Sequence, residues 1–181
     1  EVSKKVSDRD VTMLNIIGVA ASNLGKQQQA EEALVKALTL APDNPVYHRD
    51  LGVVLVRSQK LDRARRHLET AAGSLAASPD IRTHAISLIA SVTEAEIGMS
   101  NSFIQGGKPY DALPILKRLA ASGYTATETR VWADNMLVKY NNLPAENPAA
   151  NQPPQLSPEP AIIQAPTPQP EPEIIQAPSQ N

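Results

Sequence analysis

Three histidines, His48, His67 and His84, are the side chains best suited to metal binding or proton transfer. None has a second histidine at metal-ligand spacing and no HExxH occurs, so no metal centre is expected. The absence of cysteine removes thiol nucleophiles, disulfides and thiolate metal sites. No serine stands in a GxSxG setting. Gly106-Gly107 is too short to cradle a phosphate and reads as a helix stop. Catalytic and cofactor sites are therefore not expected either, and the chain reads as a non-enzyme. What remains is charge. Arg57, Lys60, Arg63, Arg65 and Arg66 place five cations within ten residues. The plain reading is a solvated outer helix face. The alternative is a docking patch for an acidic partner or for the chain's own acidic tail.

The elements that must carry these side chains repeat. Between Met13 and Ala77, at a spacing of 34, Ile17-Gly18 returns as Leu51-Gly52, Ala30 as Ala64, Leu34 as Leu68 and Ala37 as Ala71. A period of this length is one helix–turn–helix unit, which cannot bury its apolar face alone and stacks on its neighbours. Gly18 and Gly52 are expected where a neighbouring helix crosses closely.

The helix signals follow in order. Asp10 suits an N-cap, and Leu14, Ile17, Ala21 and Leu24 form a face that stops at Gly25. A second helix, about Gln28 to Leu40, carries Ala30, Ala33, Leu34, Ala37 and Leu38. Asn44 caps a third helix with Pro45 in its first turn. Leu51, Gly52 and Leu55 mark that helix, and Leu61, Ala64, Leu68, Ala71 and Ala72 mark the fourth. Ser78 caps a long helix with the stripe Ile81, Ala85, Leu88, Val92, Ala95, Met99 and Phe103. It reaches Gln105, unless it breaks near Gly98. A sixth helix begins near Asp111, which puts Pro114 in its first turn. Thr125 and Glu128 form a capping box for a last helix through Tyr140.

The first copy reads Leu14-x2-Ile17-Gly18-x2-Ala21, then Ala30-x3-Leu34-x2-Ala37, then Pro42. It resembles the tetratricopeptide repeat (TPR) family. The resemblance implies an all-α helical-hairpin solenoid of about three repeats with a C-terminal capping helix, over residues 10–141. It puts His48 where the family usually has tryptophan, which implies a packing role. It also implies a concave groove lined by the first helix of each repeat. The family pattern assigns to that groove Thr12, Asn15, Val19, Ser22 and Asn23. From the second repeat it adds Val46, Arg49, Val53, Val56 and Arg57. From the long helix it adds Glu94, Ile97, Asn101, Ile104 and Gln105. The carboxylate clamp of chaperone-binding members is missing, since Asn15, Val19 and Asp50 occupy its sites. Within the implied groove, Arg49 and Arg57 would form an anion-binding pair two helical turns apart, with Val53 between them for an aliphatic side chain. The implied function is a protein–protein interaction scaffold that holds an extended peptide or partner helix, acidic and aliphatic in character. Two alternatives stay open at this point. One is an accessory domain or fragment of a larger enzyme, such as a TPR-containing transferase. The other is an assembly factor of a bacterial envelope, secretion or pilus machine.

Composition supports these limits. Seventeen basic and nineteen acidic residues give a net charge of −2, which favours no nucleic-acid partner. No apolar run approaches the ~18 residues of a membrane-crossing helix. The six aromatic residues leave Leu, Ile, Val and Ala to build the core. Residues 1–9 read as a flexible lead-in. Residues 142–181 read as a disordered tail, because 144–181 hold 11 of the 16 prolines, four Glu and no Lys or Arg. Within the tail, Pro158-Glu-Pro-Ala-Ile-Ile-Gln-Ala-Pro166 returns as Pro170-Glu-Pro-Glu-Ile-Ile-Gln-Ala-Pro178. The first residue is not Met, which admits a removed signal peptide or a longer parent chain. The compartment is then cytoplasmic or, with a signal peptide, periplasmic or envelope. Partner identity and oligomeric state stay open.

Overall fold

The computed structural model describes residues 8–141. The expectations for the lead-in before Asp8 and for the proline-rich tail lie outside the described residues. Seven helices follow one another: α1 (Asp8–Asn23), α2 (Gln27–Leu40), α3 (Pro45–Arg57), α4 (Leu61–Gly73), α5 (Pro79–Gln105), α6 (Pro109–Ala121) and α7 (Thr127–Asn141). No strand occurs among the described residues.

Each helix packs on the next, α1 on α2 through to α6 on α7. The odd helices also meet, α1 with α3 and α3 with α5, whereas the backbones of α2 and α4 stay apart and are linked by the Glu31–Arg63 ion pair. Three hairpins share one turn. Lys26, Lys60 and Lys108 donate their backbone N–H to the carbonyls of Ala21, Leu55 and Phe103 at 2.9, 2.9 and 2.8 Å. The preceding residues, Gly25, Gln59 and Gly107, are all left-handed, with φ of 75°, 58° and 73°. This is the Schellman closure, which satisfies the last carbonyls of a helix and favours glycine. Gln59 occupies the glycine position of the other two turns.

The close crossings fall at the expected glycines. A Cβ on Gly18 would lie 2.6 Å from Leu34 Cγ, and one on Gly52 would lie 2.5 Å from Leu68 Cδ2. Sixteen residues separate each glycine from its leucine. The same spacing separates Ser100 from Leu116, both fully buried. The third unit thus uses the C-terminal half of α5 with α6. The 27-residue α5 runs unbroken through Gly98, and its extra turns lie at its N-terminal end.

The stripe of α2 is buried as its spacing predicts. Asn44 accepts from Val46 N at 3.0 Å with Pro45 in the first turn, and Ser78 accepts from Ile81 N at 3.4 Å. Other details differ. The described part of the first helix already includes Asp8, so Asp10 lies within the helix and not at its cap. On α1, Ala21 is buried, but Ile17 and Leu24 are exposed. The buried face is Val11, Gly18, Ala21 and Ser22, because among the described helices α1 packs on α2 and α3. On α5 the buried face is Ala85, Ile89, Val92, Thr93, Glu96 and Ser100, while Ala95 and Met99 are exposed. Polar residues hold the positions that an apolar stripe was expected to fill. Pro109 takes the first turn of α6, so Pro114 lies inside that helix, on its exposed side. For α7, Ala126 O accepts the first helical bond from Arg130 N at 3.0 Å. Thr125 sits one residue too early to cap, and its buried hydroxyl has no hydrogen-bond partner.

Two aliphatic cores result. One joins α1–α4 to Ala85, Ile89 and Val92 of α5. The other joins α6 and α7 to Ile97, Phe103 and Ile104 of α5. A polar band lies between them. Arg65 of α4 donates to Glu96 at 2.9 and 2.7 Å and to Thr93 at 2.7 Å, and Arg118 of α6 reaches the other Glu96 oxygen at 3.2 Å. Arg65 is 2% exposed and Glu96 fully buried.

Candidate functional site

Where α1, α3 and α5 come together, a groove of about 250 Å³ opens. Its walls are Val19, Ser22 and Asn23 from α1, Arg49, Asp50, Val53, Val54 and Arg57 from α3, and His84 from α5. The spacing of α3 explains its share. Residues 49, 53 and 57 recur every four positions and so stand above one another on one helix face.

The two groove arginines are not equivalent. Arg49 donates through Nε and Nη2 to Asp50 Oδ1, at 2.8 and 2.6 Å. Asn15 donates to the second oxygen of Asp50 at 2.8 Å, tying α1 to α3. Arg49 is therefore neutralised within the chain. Arg57 donates to Ser22 Oγ at 2.8 Å and to Asn23 Oδ1 at 3.3 Å. Both acceptors are neutral, and among the described residues no carboxylate forms an ion pair with Arg57. The groove thus holds one oriented, uncompensated guanidinium beside aliphatic walls. A carboxylate next to a branched apolar side chain matches both features.

Of the residues assigned from the family pattern, Val19, Ser22, Asn23, Arg49, Val53 and Arg57 line this groove, and Asn15 stands behind it through Asp50. Val46 and Val56 pack against the first core. Asn101 is exposed on the distal half of α5, away from the groove walls. Glu94, Ile97, Ile104 and Gln105 also lie outside the walls, and Ile97 and Ile104 join the second core. The α5 residue that does line the groove is His84, from the turns added at the start of that helix. A fixed repeat period cannot find it, because the insertion displaces the register. Asp50 could have been found, since an acid directly after Arg49 and facing Asn15 one period earlier is a ready partner for both.

The basic stretch does not form one patch. Lys60 and Arg63 both bind Glu31, at 2.7 and 2.5 Å, and hold its carboxyl below the usual range. Arg66 pairs with Asp62 at 2.7 Å. Arg65 points inward, contrary to an all-solvated face, because the buried Glu96 lies opposite it.

His48 and His67 meet across α3 and α4, with Nδ1 to Nδ1 at 2.9 Å. His48 Nε2 is 2.7 Å from the Pro42 carbonyl, which can only accept. His48 therefore carries a proton on Nε2, and with both rings neutral its Nδ1 accepts from His67 Nδ1–H. Burial, followed by the charge of His48 and of Arg63 and Arg66, lowers the pKa of His67 to about 4. Sequence spacing alone could not place these rings together. Among the described residues no group of three His, Cys, Asp or Glu is placed to hold a metal ion. No described helix is long and apolar enough to cross a membrane.

No family model matches the chain, and no curated protein or solved structure matches it.

Proposed function

We propose that residues 8–141 form a TPR-like scaffold that binds an extended peptide segment of another protein between α1, α3 and α5. The observation that carries this reading is the state of Arg57. Its guanidinium is aimed by Ser22 and Asn23, lacks a carboxylate among the described residues, and borders Val19 and Val53. A peptide with an acidic side chain next to an aliphatic one would supply the missing anion and cover the apolar wall. The three identical turns and the Gly–Leu crossings support the repeat reading on which the groove rests. In this reading the protein is not an enzyme and does not bind nucleic acid.

Selection from a displayed peptide library against the full chain tests it. The expected result is enrichment of sequences with Asp or Glu beside Ile, Leu or Val, lost with Arg57→Ala. Enrichment that survives Arg57→Ala but disappears with the paired change Arg63→Ala and Arg66→Ala would move the site to the opposite surface.

A further inference from the structure

The first helix has a second surface that the groove does not use. Met13, Ile16, Ile17 and Ala20 fill one side of α1, opposite its buried face, and Leu24, the first residue of the turn that follows, extends it at the same spacing. The four large ones are 50%, 54%, 51% and 72% exposed. A helix that is apolar on both sides is normally covered on both.

The chain itself shows how such a surface is covered. One repeat later the matching positions of α3 are Tyr47, Asp50, Leu51, Val54 and Ser58. Tyr47, Leu51 and Val54 are 8%, 1% and 1% exposed, because the preceding hairpin packs on them. On α1 the same surface has no described neighbour.

We propose that this face pairs with the same face of a second copy of the chain, antiparallel and around a two-fold axis. Two features of α1 and the turn that follows it select that occupant. An antiparallel pairing centred between Gly18 and Val19 sets Met13 opposite Leu24 and Ile17 opposite Ala20. Bulky residues thus meet either a flexible or a small one, as close helix packing requires. The same alignment brings Asp10 at one end of each helix near Lys26 of the other copy at both ends, so opposite charges close the seam. The face itself carries no charge. A patch of this kind, a few hundred Å² in extent, marks an interface and lies below the ~800 Å² per partner of a standard one. The dimer is therefore weak and concentration-dependent. Val19, Ser22 and Asn23 lie to one side of the seam, so both grooves stay open and face two ligand segments at once. The pairing does not depend on the peptide reading.

Sedimentation equilibrium of the full 181-residue chain, from about 1 µM to about 1 mM, tests the proposal. The mass should rise from 19.4 kDa towards twice that value. Ile17→Glu and Leu24→Glu, both at exposed positions, should each weaken association at least tenfold with an unchanged helical circular-dichroism spectrum. Asp10→Lys should weaken it less, and adding Lys26→Asp should restore it. A chain that stays monomeric throughout overturns the proposal. So does association that the glutamate variants leave intact, or a mass that climbs past the dimer. Failure of the charge swap to restore association overturns the antiparallel register.

Discussion

The first two hairpins and the last three helices meet the same packing demand with different interiors. In α1–α4 the crossings are glycine against leucine and the core is apolar, aliphatic except for Tyr47. From α5 onward the residue at the matching spacing is Ser100, whose buried hydroxyl lacks a partner, and the junction is held by Arg65 and Glu96. Repetition fixes where helices cross, not what chemistry fills the crossing. Between the two apolar cores stands the buried pair of Arg65 from α4 and Glu96 from α5.

The strongest way to break this contrast is Glu96→Ala. It leaves the buried Arg65 with only the longer contact to Glu69, at 3.3 Å, and losing one partner of a buried pair costs about 3–5 kcal/mol. Replacing both members, Arg65→Met with Glu96→Leu, should cost far less or stabilise, since the desolvation of both charges is then avoided. Urea denaturation of the three chains measures both outcomes. If the single and double variants lose stability equally, the pair is not the element that joins the two cores.

Gly52→Leu breaks the regular half instead. The new side chain meets Leu68 at the crossing, and overpacking costs about 1–3 kcal/mol or more. A neutral result in the same denaturation assay would refute the crossing.

Acid sharpens the comparison within the first half, where the half-buried His67 has its pKa lowered by burial. The unfolded chain protonates it near the ordinary value of 6.5, the folded chain only at about 4. Between these values the unfolded state binds more protons, so stability falls as the pH drops from 6.5 towards 4. Allowing for solvent screening of a partly buried ring, the loss is about 1–2 kcal/mol. His67→Phe should remove most of that slope, read from melting temperatures across the window.

The smallest effect should come from the turns. Gln59 bears the left-handed φ of 58° that Gly25 and Gly107 adopt without a Cβ. Gln59→Gly should stabilise by about 0.5–1 kcal/mol, the relief of strain exceeding the added entropy of the unfolded chain. Gly25→Gln should do the reverse, measured in the same way.

Much of the helix pattern was legible because its signals are local. The prolines at 45 and 79, the caps Asn44 and Ser78, and the small residues of α2 and α4 each act within one or two turns. The faces of α1 and α5 were less legible. A stripe of apolar residues gives a helix, but its neighbours decide which side is buried. Ile17 and Leu24 have no described neighbour, and Glu96 is buried because Arg65 and Arg118 converge on it from other helices. In the candidate site, the α3 ladder 49, 53, 57 follows from spacing alone. The neutralisation of Arg49 by Asp50 depends on rotamers, and the arrival of His84 depends on an insertion, so a fixed period reveals neither.

The groove reading stands or falls with Arg57. The direct test is fluorescence anisotropy of one labelled library-selected peptide titrated with the wild-type chain, Arg57→Ala and Arg66→Ala. A charge-assisted contact contributes about 1.5–3 kcal/mol, so Arg57→Ala should raise Kd by roughly 10- to 100-fold at unchanged helicity. Arg66→Ala, on the exposed side of α4, should leave Kd unchanged. Equal affinity for the wild-type and Arg57→Ala chains, or a loss confined to Arg66→Ala, would contradict the account.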